Sequence, residues 1–220
     1  MRPGATQDLF DSPLCARRGV EAIGPDACIL RAYAVPAKRL VRAVEAIAAH
    51  APLRCMTTPG GRAMSVAMTS CGAVGWVSDA GGYRYTPVDP ESRAPWPSMP
   101  RAFLELARGA AAAAGFADFA PDSCLVNRYV PGTRLSLHQD KDELDFAAPI
   151  VSVSLGLPAV FLFGGARRCD RPRRHRLEHG DVVVWGGRSR RFFHGIACVE
   201  EGTHAEVGAR RINLTFRKAL

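Results

Sequence analysis

Arg211-Ile212-Asn213-Leu214-Thr215-Phe216-Arg217 alternates apolar and polar side chains without a break. A strand turns successive side chains to opposite faces. Ile212, Leu214 and Phe216 therefore share one face, and Arg211, Asn213, Thr215 and Arg217 share the other. The segment closes a longer region of the same texture. From Ser123 onward, short apolar runs fit strands at 123–130, 134–140, 150–156, 159–163, 174–178, 181–186, 191–197 and 210–217. Pro131-Gly132, Gly164-Gly165, Gly180-Asp181 and Gly186-Gly187 supply turns between them. Many short strands in succession predict a sandwich or jelly roll.

Upstream the pattern changes. A short apolar run over 27–33 fits a strand. Leu40, Val41, Val44 and Ile47 recur at helical spacing, which predicts an amphipathic helix over 37–49 opening after Pro36. Residues 52–98 are rich in Pro and Gly and carry Trp76, Tyr83, Tyr85 and Trp96. A strand fits 63–69, and the rest reads as hairpins and loops, a candidate lid over a site. A second helix is expected over 101–114, ended by Gly115. The expected organisation is one α+β, mainly β domain: a poorly ordered arm over 1–26, helical support and lid over 27–122, and a β core over 123–220. The arginine-rich segment 167–176 reads as an exposed loop, either a merely solvated hairpin or an edge that contacts phosphate.

The chain has 220 residues, enough for a sizeable core, and its 47% hydrophobic and 23% charged residues are those of an ordinary globular protein. The formal net charge is +8. A basic surface attracts polyanions, although a basic protein with no such partner is an equally simple explanation. The seven cysteines are scattered and contain no Cys-x-x-Cys pair, which argues against a disulfide framework and a cysteine zinc site. The sequence shows no secretory signal and no apolar stretch of membrane-spanning length, so a cytoplasmic monomer is expected.

His138 and Asp140 stand two apart in the strand predicted over 134–140, which would put both on one face. His194 is a third candidate. Two histidines and a carboxylate on one side of a metal form the facial arrangement of non-haem Fe(II) oxygenases, with three positions left open. Alone, His-x-Asp arises often by chance, and an isolated histidine in a strand is more often structural. His50, His175, His179 and His204 lack such spacing and read as surface or structural. The polar face of 211–217 has two readings as well. It is an exposed face on an edge strand, or it is buried and its arginines bind a dicarboxylate through their planar forks. Leu125, Asn127 and Tyr129 share a strand face, and Asn127 and Tyr129 could add hydrogen bonds to the same anion.

These pieces together resemble the AlkB family of Fe(II)/2-oxoglutarate dioxygenases. The resemblance rests on Asn127-Arg128-Tyr129, the run from Leu135 to Glu143 containing His138-Gln139-Asp140, and the run from Pro149 to Pro158. It also rests on His179-Gly180-Asp181 through Gly187, His194-Gly195, Asn213 to Arg217, Met64 to Thr69, and Gly75-Trp76. It spans about residues 28 to 218. It implies a double-stranded β-helix, a jelly-roll variant, with N-terminal helices and a nucleotide-recognition lid. It further implies that His138, Asp140 and His194 bind Fe(II), and that Arg211 and Arg217, helped by Asn127, Tyr129 and Asn213, hold 2-oxoglutarate, with O₂ as the other co-substrate. Trp76 would stack on a flipped base opposite the His138 ring. Met68, Tyr83, Tyr85, Leu125, Asp142 and Arg168 would line the base and phosphate site, with Asp142 facing the positive charge of the alkylated ring. The implied activity is direct-reversal DNA repair. An N-methyl group on 1-methyladenine or 3-methylcytosine is oxidised and lost as formaldehyde, with succinate and CO₂ as co-products. Single-stranded DNA is the expected substrate, with double-stranded DNA and RNA left open. The chain departs from the family in its more arginine-rich 167–176 segment, in the absence of a basic residue at 79–82, and over its first 25 residues.

Two other functions fit the residues less well. A dioxygenase of the same chemistry acting on a small molecule or a protein would not need the basic charge and the Trp76/Tyr83 aromatics. A non-enzymatic nucleic-acid-binding jelly roll would not need the metal triad and the paired C-terminal arginines.

Overall fold

The computed structural model describes residues 19–220. Its elements in chain order are β1 (Gly19–Gly24), β2 (Ala27–Arg31), α1 (Lys38–His50), β3 (Arg54–Thr57), β4 (Ala63–Gly72), β5 (Gly75–Asp79), β6 (Gly82–Thr86) and α2 (Arg101–Ala113). These are followed by β7 (Ser123–Tyr129), β8 (Leu135–His138), β9 (Ile150–Gly156), β10 (Ala159–Phe163), β11 (Arg173–Leu177), β12 (Val182–Trp185), β13 (His194–Ile196) and β14 (Arg211–Arg217). An eight-stranded sheet has the order β1-β2-β12-β9-β14-β7-β4-β3, a four-stranded sheet the order β11-β10-β13-β8, and β5-β6 form a separate hairpin.

Two apolar layers hold these parts together. Leu40, Val41, Val44 and Ile47 of α1 and Phe103, Ala107, Ala110 and Ala111 of α2 pack on Val126, Val153, Leu214 and Phe216 of the large sheet. The alanines keep α2 close to the strands. The helix ends as its sequence predicts. Gly115 takes φ +91°, the Phe116 amide donates to the Ala111 carbonyl at 2.8 Å, and the Gly115 amide donates to Ala112 at 3.0 Å. The second layer lies between the two sheets, where Ile29, Leu125, Ile150, Val183 and Trp185 meet Phe161, Phe163, Leu177 and Ile196. Two facing sheets with helices behind one of them make a jelly-roll-like core, as the strand pattern predicts. No helix among the described residues is long and apolar enough to cross a membrane.

Four expectations need correction. The poorly ordered arm was expected to reach residue 26. Residues 1–18 lie outside the described residues, but 19–24 form β1, antiparallel to β2. Most β1 side chains are exposed, so ladder hydrogen bonds and the Arg31–Glu21 ion pair hold the strand, and it leaves no apolar pattern to read. The strand expected over 134–140 stops at His138. Its neighbour β13 is only three residues long, so the ladder has no partner beyond that point. The strand expected over 191–197 begins at His194, because a 3₁₀ turn at Gly187–Ser189 comes first and the buried Arg190 side chain donates to the Ala148 and Asp140 carbonyls. Of the arginine-rich segment, only the first part is loop, and 173–177 is the edge strand β11.

Phe103 is fully buried and meets Phe216 edge-on at 5.7 Å. Phe103→Ala should therefore destabilise the protein by about 3–5 kcal/mol in urea unfolding. A loss below about 1 kcal/mol would show that α2 does not anchor the large sheet.

Candidate active site

His138 ends β8 and His194 begins β13, and the register pairs them directly. Gly195 makes this close approach possible, since a Cβ there would sit 2.6 Å from the Leu135 carbonyl oxygen. The two rings lie 4.4 Å apart between centroids. Each Nδ1 faces the carbonyl two residues before it, Ser136 at 2.9 Å and Phe192 at 3.0 Å. A carbonyl can only accept, so each Nδ1 carries a proton and Nε2 is the atom each ring offers to a metal. Both Nε2 atoms face the Asp140 carboxylate, at 3.6 Å from His138 and 3.9 Å from His194. The three candidate ligand atoms lie within 4.8 Å of one another. Asp140 reaches this point from a loop, not from the strand face that its spacing suggested.

Charge prepares these groups for a cation. Burial alone would raise the Asp140 pKa, but Arg217 and the two histidines outweigh it and hold the carboxyl well below the usual range. Burial and the neighbouring His138 push His194 down to about 4, so its imidazole is neutral at neutral pH. The Trp185 and Phe161 rings pack on His194 at 4.9 and 6.1 Å and restrict its rotation.

β14 lies between β9 and β7, so the edge-strand reading of its polar face is excluded. All seven of its residues are buried. Asn213 is the hub of this face. It donates to Ser152 Oγ at 2.8 Å and Val153 O at 3.0 Å, and its Oδ1 accepts from Thr215 at 2.9 Å and Asn127 at 3.4 Å. Arg217 donates to Asp140 through Nε at 2.9 Å and Nη2 at 2.8 Å. Arg211 has no such partner. Only its Nη2 is satisfied, by Ser154 Oγ at 3.0 Å, and Nε and Nη1 are buried with no acceptor. Its guanidinium lies 4.9 Å from the Tyr129 ring centroid. Burial lowers its pKa, against a partial opposing pull from Tyr129. A buried cation without a counter-charge is expensive, and this one has free donors where an anion would fit.

The triad and the polar face of β14 open into one cavity of about 850 Å³. Met68 and Leu125 form part of its apolar wall, and Trp76, Tyr83, Asp142 and Arg168 also line it. Trp76 stacks on Tyr83 with centroids 5.5 Å apart and rings 13° from parallel, and its Nε1 donates to Asp142 Oδ2 at 2.8 Å. Arg168 donates to the Leu137 carbonyl at 2.9 Å. Tyr85 differs from the expectation. It is absent from the cavity lining, and its hydroxyl donates to Glu143 Oε1 at 2.6 Å. Glu143 was not singled out from sequence. It is buried, accepts from Arg190 at 3.1 Å and faces Arg217 at 3.3 Å, so it joins the β5–β6 hairpin to the residue that holds Asp140. It closes the run that begins at Leu135, but a loop carboxylate has no periodicity to mark it. Ser152 and Ser154 were likewise missed.

Residues 21–217 match the family model of the 2OG-Fe(II) oxygenase superfamily. The chain belongs to this superfamily. The chain is 56% identical to the alpha-ketoglutarate-dependent dioxygenase AlkB of Escherichia coli strain K12, over 90% of this chain and 93% of that one, which places it among the AlkB dioxygenases. A shorter match, 42% identical, links 44% of this chain to 24% of an Arabidopsis thaliana protein named DNA N(6)-methyladenine demethylase ALKBH1C. The solved structure of OsALKBH1 superposes with a TM-score of 0.80 at 28% identity, over 91% of this chain and all of the other.

The residues present fit the cofactors of a 2OG-Fe(II) oxygenase. Two imidazoles and a carboxylate, with no thiolate among them, are the donor set that non-haem Fe(II) takes. The unpartnered Arg211 guanidinium fits a carboxylate of 2-oxoglutarate. Six of the seven cysteines lie within the described residues, and all six are free. Cys15 lies outside them.

Arg211→Met removes a buried charge that no protein group neutralises. Its thermal midpoint without co-substrate should match or exceed that of the wild type. Saturating 2-oxoglutarate with a redox-inert divalent metal should raise the wild-type midpoint and leave the variant unmoved. A variant strongly destabilised without co-substrate would show that Arg211 is structural.

Proposed function

We propose that this dioxygenase removes N-methyl groups from alkylated bases such as 1-methyladenine and 3-methylcytosine in single-stranded DNA, with RNA as a further substrate. The observation that carries the proposal is the Trp76–Tyr83 stack, tied to Asp142, lining the same cavity as the His138/Asp140/His194 triad. The demethylase relative from Arabidopsis supports it, as does the +8 net charge.

In this proposal His138, Asp140 and His194 hold Fe(II) and leave three positions open. Arg211 anchors one carboxylate of 2-oxoglutarate, with Asn127, Tyr129, Asn213 and Arg217 around it. When bound, iron, 2-oxoglutarate and O₂ together supply oxidation of a C–H bond, with decarboxylation of the co-substrate to succinate. The protein's own residues do the rest. Arg217 keeps Asp140 ionised and oriented. The Nδ1 contacts fix both imidazoles with their lone pairs inward. A base inside a duplex is out of reach, so it must be flipped or already unpaired, which costs least for a damaged base. Stacking on Trp76, worth about 1–3 kcal/mol, offsets that cost. Asp142 carries the negative charge that an N-alkylated, cationic ring needs, and the Trp76 Nε1 hydrogen bond holds it in place. Tyr83 and Arg168 stand beside the base and its phosphate. Oxidation of the methyl group leaves a hydroxymethyl on nitrogen, which collapses to the repaired base and formaldehyde. We assign this reaction to a monomer, since one chain supplies every group named, and place it in the cytoplasm as the sequence reading expects.

The test is formaldehyde release from a single-stranded oligonucleotide bearing one 1-methyladenine, with Fe(II), 2-oxoglutarate and ascorbate. The wild type should release formaldehyde, with at least one succinate formed for each. His138→Ala should lower the rate more than the roughly 10–100-fold expected from losing a supporting hydrogen bond. Succinate without formaldehyde would overturn the substrate assignment. Trp76→Ala should raise KM for the oligonucleotide roughly ten-fold while substrate-independent 2-oxoglutarate turnover persists. An unchanged KM would remove Trp76 from base binding.

A further inference from the structure

Segment 167–176 holds six arginines against one aspartate, so ten residues account for five of the chain's net +8. All six arginines are exposed. Three have visible tasks. Arg167 pairs with Asp170 at 3.0 Å, Arg176 pairs with Glu178 at 2.6 Å, and Arg168 lies at the cavity with its guanidinium 5.8 Å from the Phe193 ring centroid. Arg171, Arg173 and Arg174 have no ion pair or side-chain hydrogen bond among the described residues.

The fold does not explain them. β11 is the edge of the four-stranded sheet, and edge strands use charge to block pairing with other chains. That protection is already present, because the Arg31 guanidinium caps the Arg176 carbonyl at 2.8 Å. Three further like charges within six residues of Arg168 raise the energy of the free protein, a cost that a polyanion removes. Arginine rather than lysine suits phosphate, since its planar fork binds two oxygens at once. Arg171 stands in the loop before β11, three residues after the cavity-lining Arg168, and Arg173 and Arg174 are the first two residues of β11.

We propose that Arg171, Arg173 and Arg174 form a phosphate-binding edge that carries the single strand flanking the base held in the cavity. This inference rests on the nucleic-acid substrate proposed above. The edge adds length-dependent affinity and takes no part in the reaction. Substrates long enough to reach it are gripped, and short ones are held by the cavity alone.

The experiment compares the wild type with Arg171→Ser/Arg173→Ser/Arg174→Ser and with the corresponding triple lysine variant. Binding of an unmodified single-stranded oligonucleotide is followed by fluorescence anisotropy across a salt series, and turnover of a methylated trinucleotide is measured alongside. The serine variant should show a log affinity against log salt slope shallower by about 2, because each lost phosphate contact on a single strand removes roughly 0.7. Its KM should rise on the long substrate only, with trinucleotide turnover unchanged, and the lysine variant should keep the wild-type slope. An unchanged slope in the serine variant, with trinucleotide turnover intact, would overturn the edge and leave the substrate assignment standing. Loss of trinucleotide turnover in the serine variant would overturn it too, by placing these residues in the site itself. A wild type that neither binds the oligonucleotide nor turns over the trinucleotide would overturn both proposals.

Discussion

Arg211 is a cation buried in the middle of an eight-stranded sheet with two of its donors unpartnered. Such a group raises the free energy of the folded chain, and a jelly-roll core does not require it. The structure around it has the form of an enclosed anion site. β14 is central, so its polar face cannot reach solvent. The facing sheet encloses that face, and the triad lies beside it in the same cavity. Arg217, six residues along the same strand, has its counter-charge in Asp140, so one strand face holds both the uncompensated guanidinium and the partner of the triad carboxylate.

The two sheets divide the labour. The large sheet is braced by α1 and α2 and carries the buried polar residues of β7 and β14. The small sheet contributes both histidines from paired strands, with a glycine where the backbones must come close. Asp140 bridges them. It follows β8 of the small sheet, yet Arg217 of the large sheet holds it. The β5–β6 hairpin is tied in twice, by Trp76 to Asp142 and by Tyr85 to Glu143. The face expected to meet a base is thus linked through Glu143 and Arg217 to a metal ligand.

Strand periodicity made β14 legible, because seven residues alternate cleanly and a row of arginines on one face demands either solvent or an anion. It could not choose between those two, since strand order is a non-local property and only the position of β14 between β9 and β7 decides the matter. His138 and His194 were legible as candidates, but their pairing depends on the register between β8 and β13. Asp140 was picked correctly for the wrong local reason, because the strand ends before it. β1 was missed because its side chains are mostly exposed and its pairing is backbone-driven. Glu143 and the inward turn of Tyr85 were missed because loop carboxylates and hairpin tyrosines acquire meaning only from partners distant in sequence. The resemblance to AlkB added residues that periodicity could not mark, and the structure lines one cavity with Met68, Trp76, Tyr83, Leu125, Asp142 and Arg168 while turning the Tyr85 hydroxyl to Glu143.

The whole account depends on Arg211 being the socket for 2-oxoglutarate beside the triad. Its most direct test is the anaerobic visible absorption spectrum of the protein titrated with Fe(II) and then 2-oxoglutarate. A keto acid chelated to Fe(II) gives a charge-transfer band that neither gives alone. The wild type should develop this band at one equivalent of each. Arg211→Met should bind Fe(II) normally and develop the band only at far higher 2-oxoglutarate. A band of unchanged affinity in Arg211→Met, or none in the wild type, would contradict the assignment.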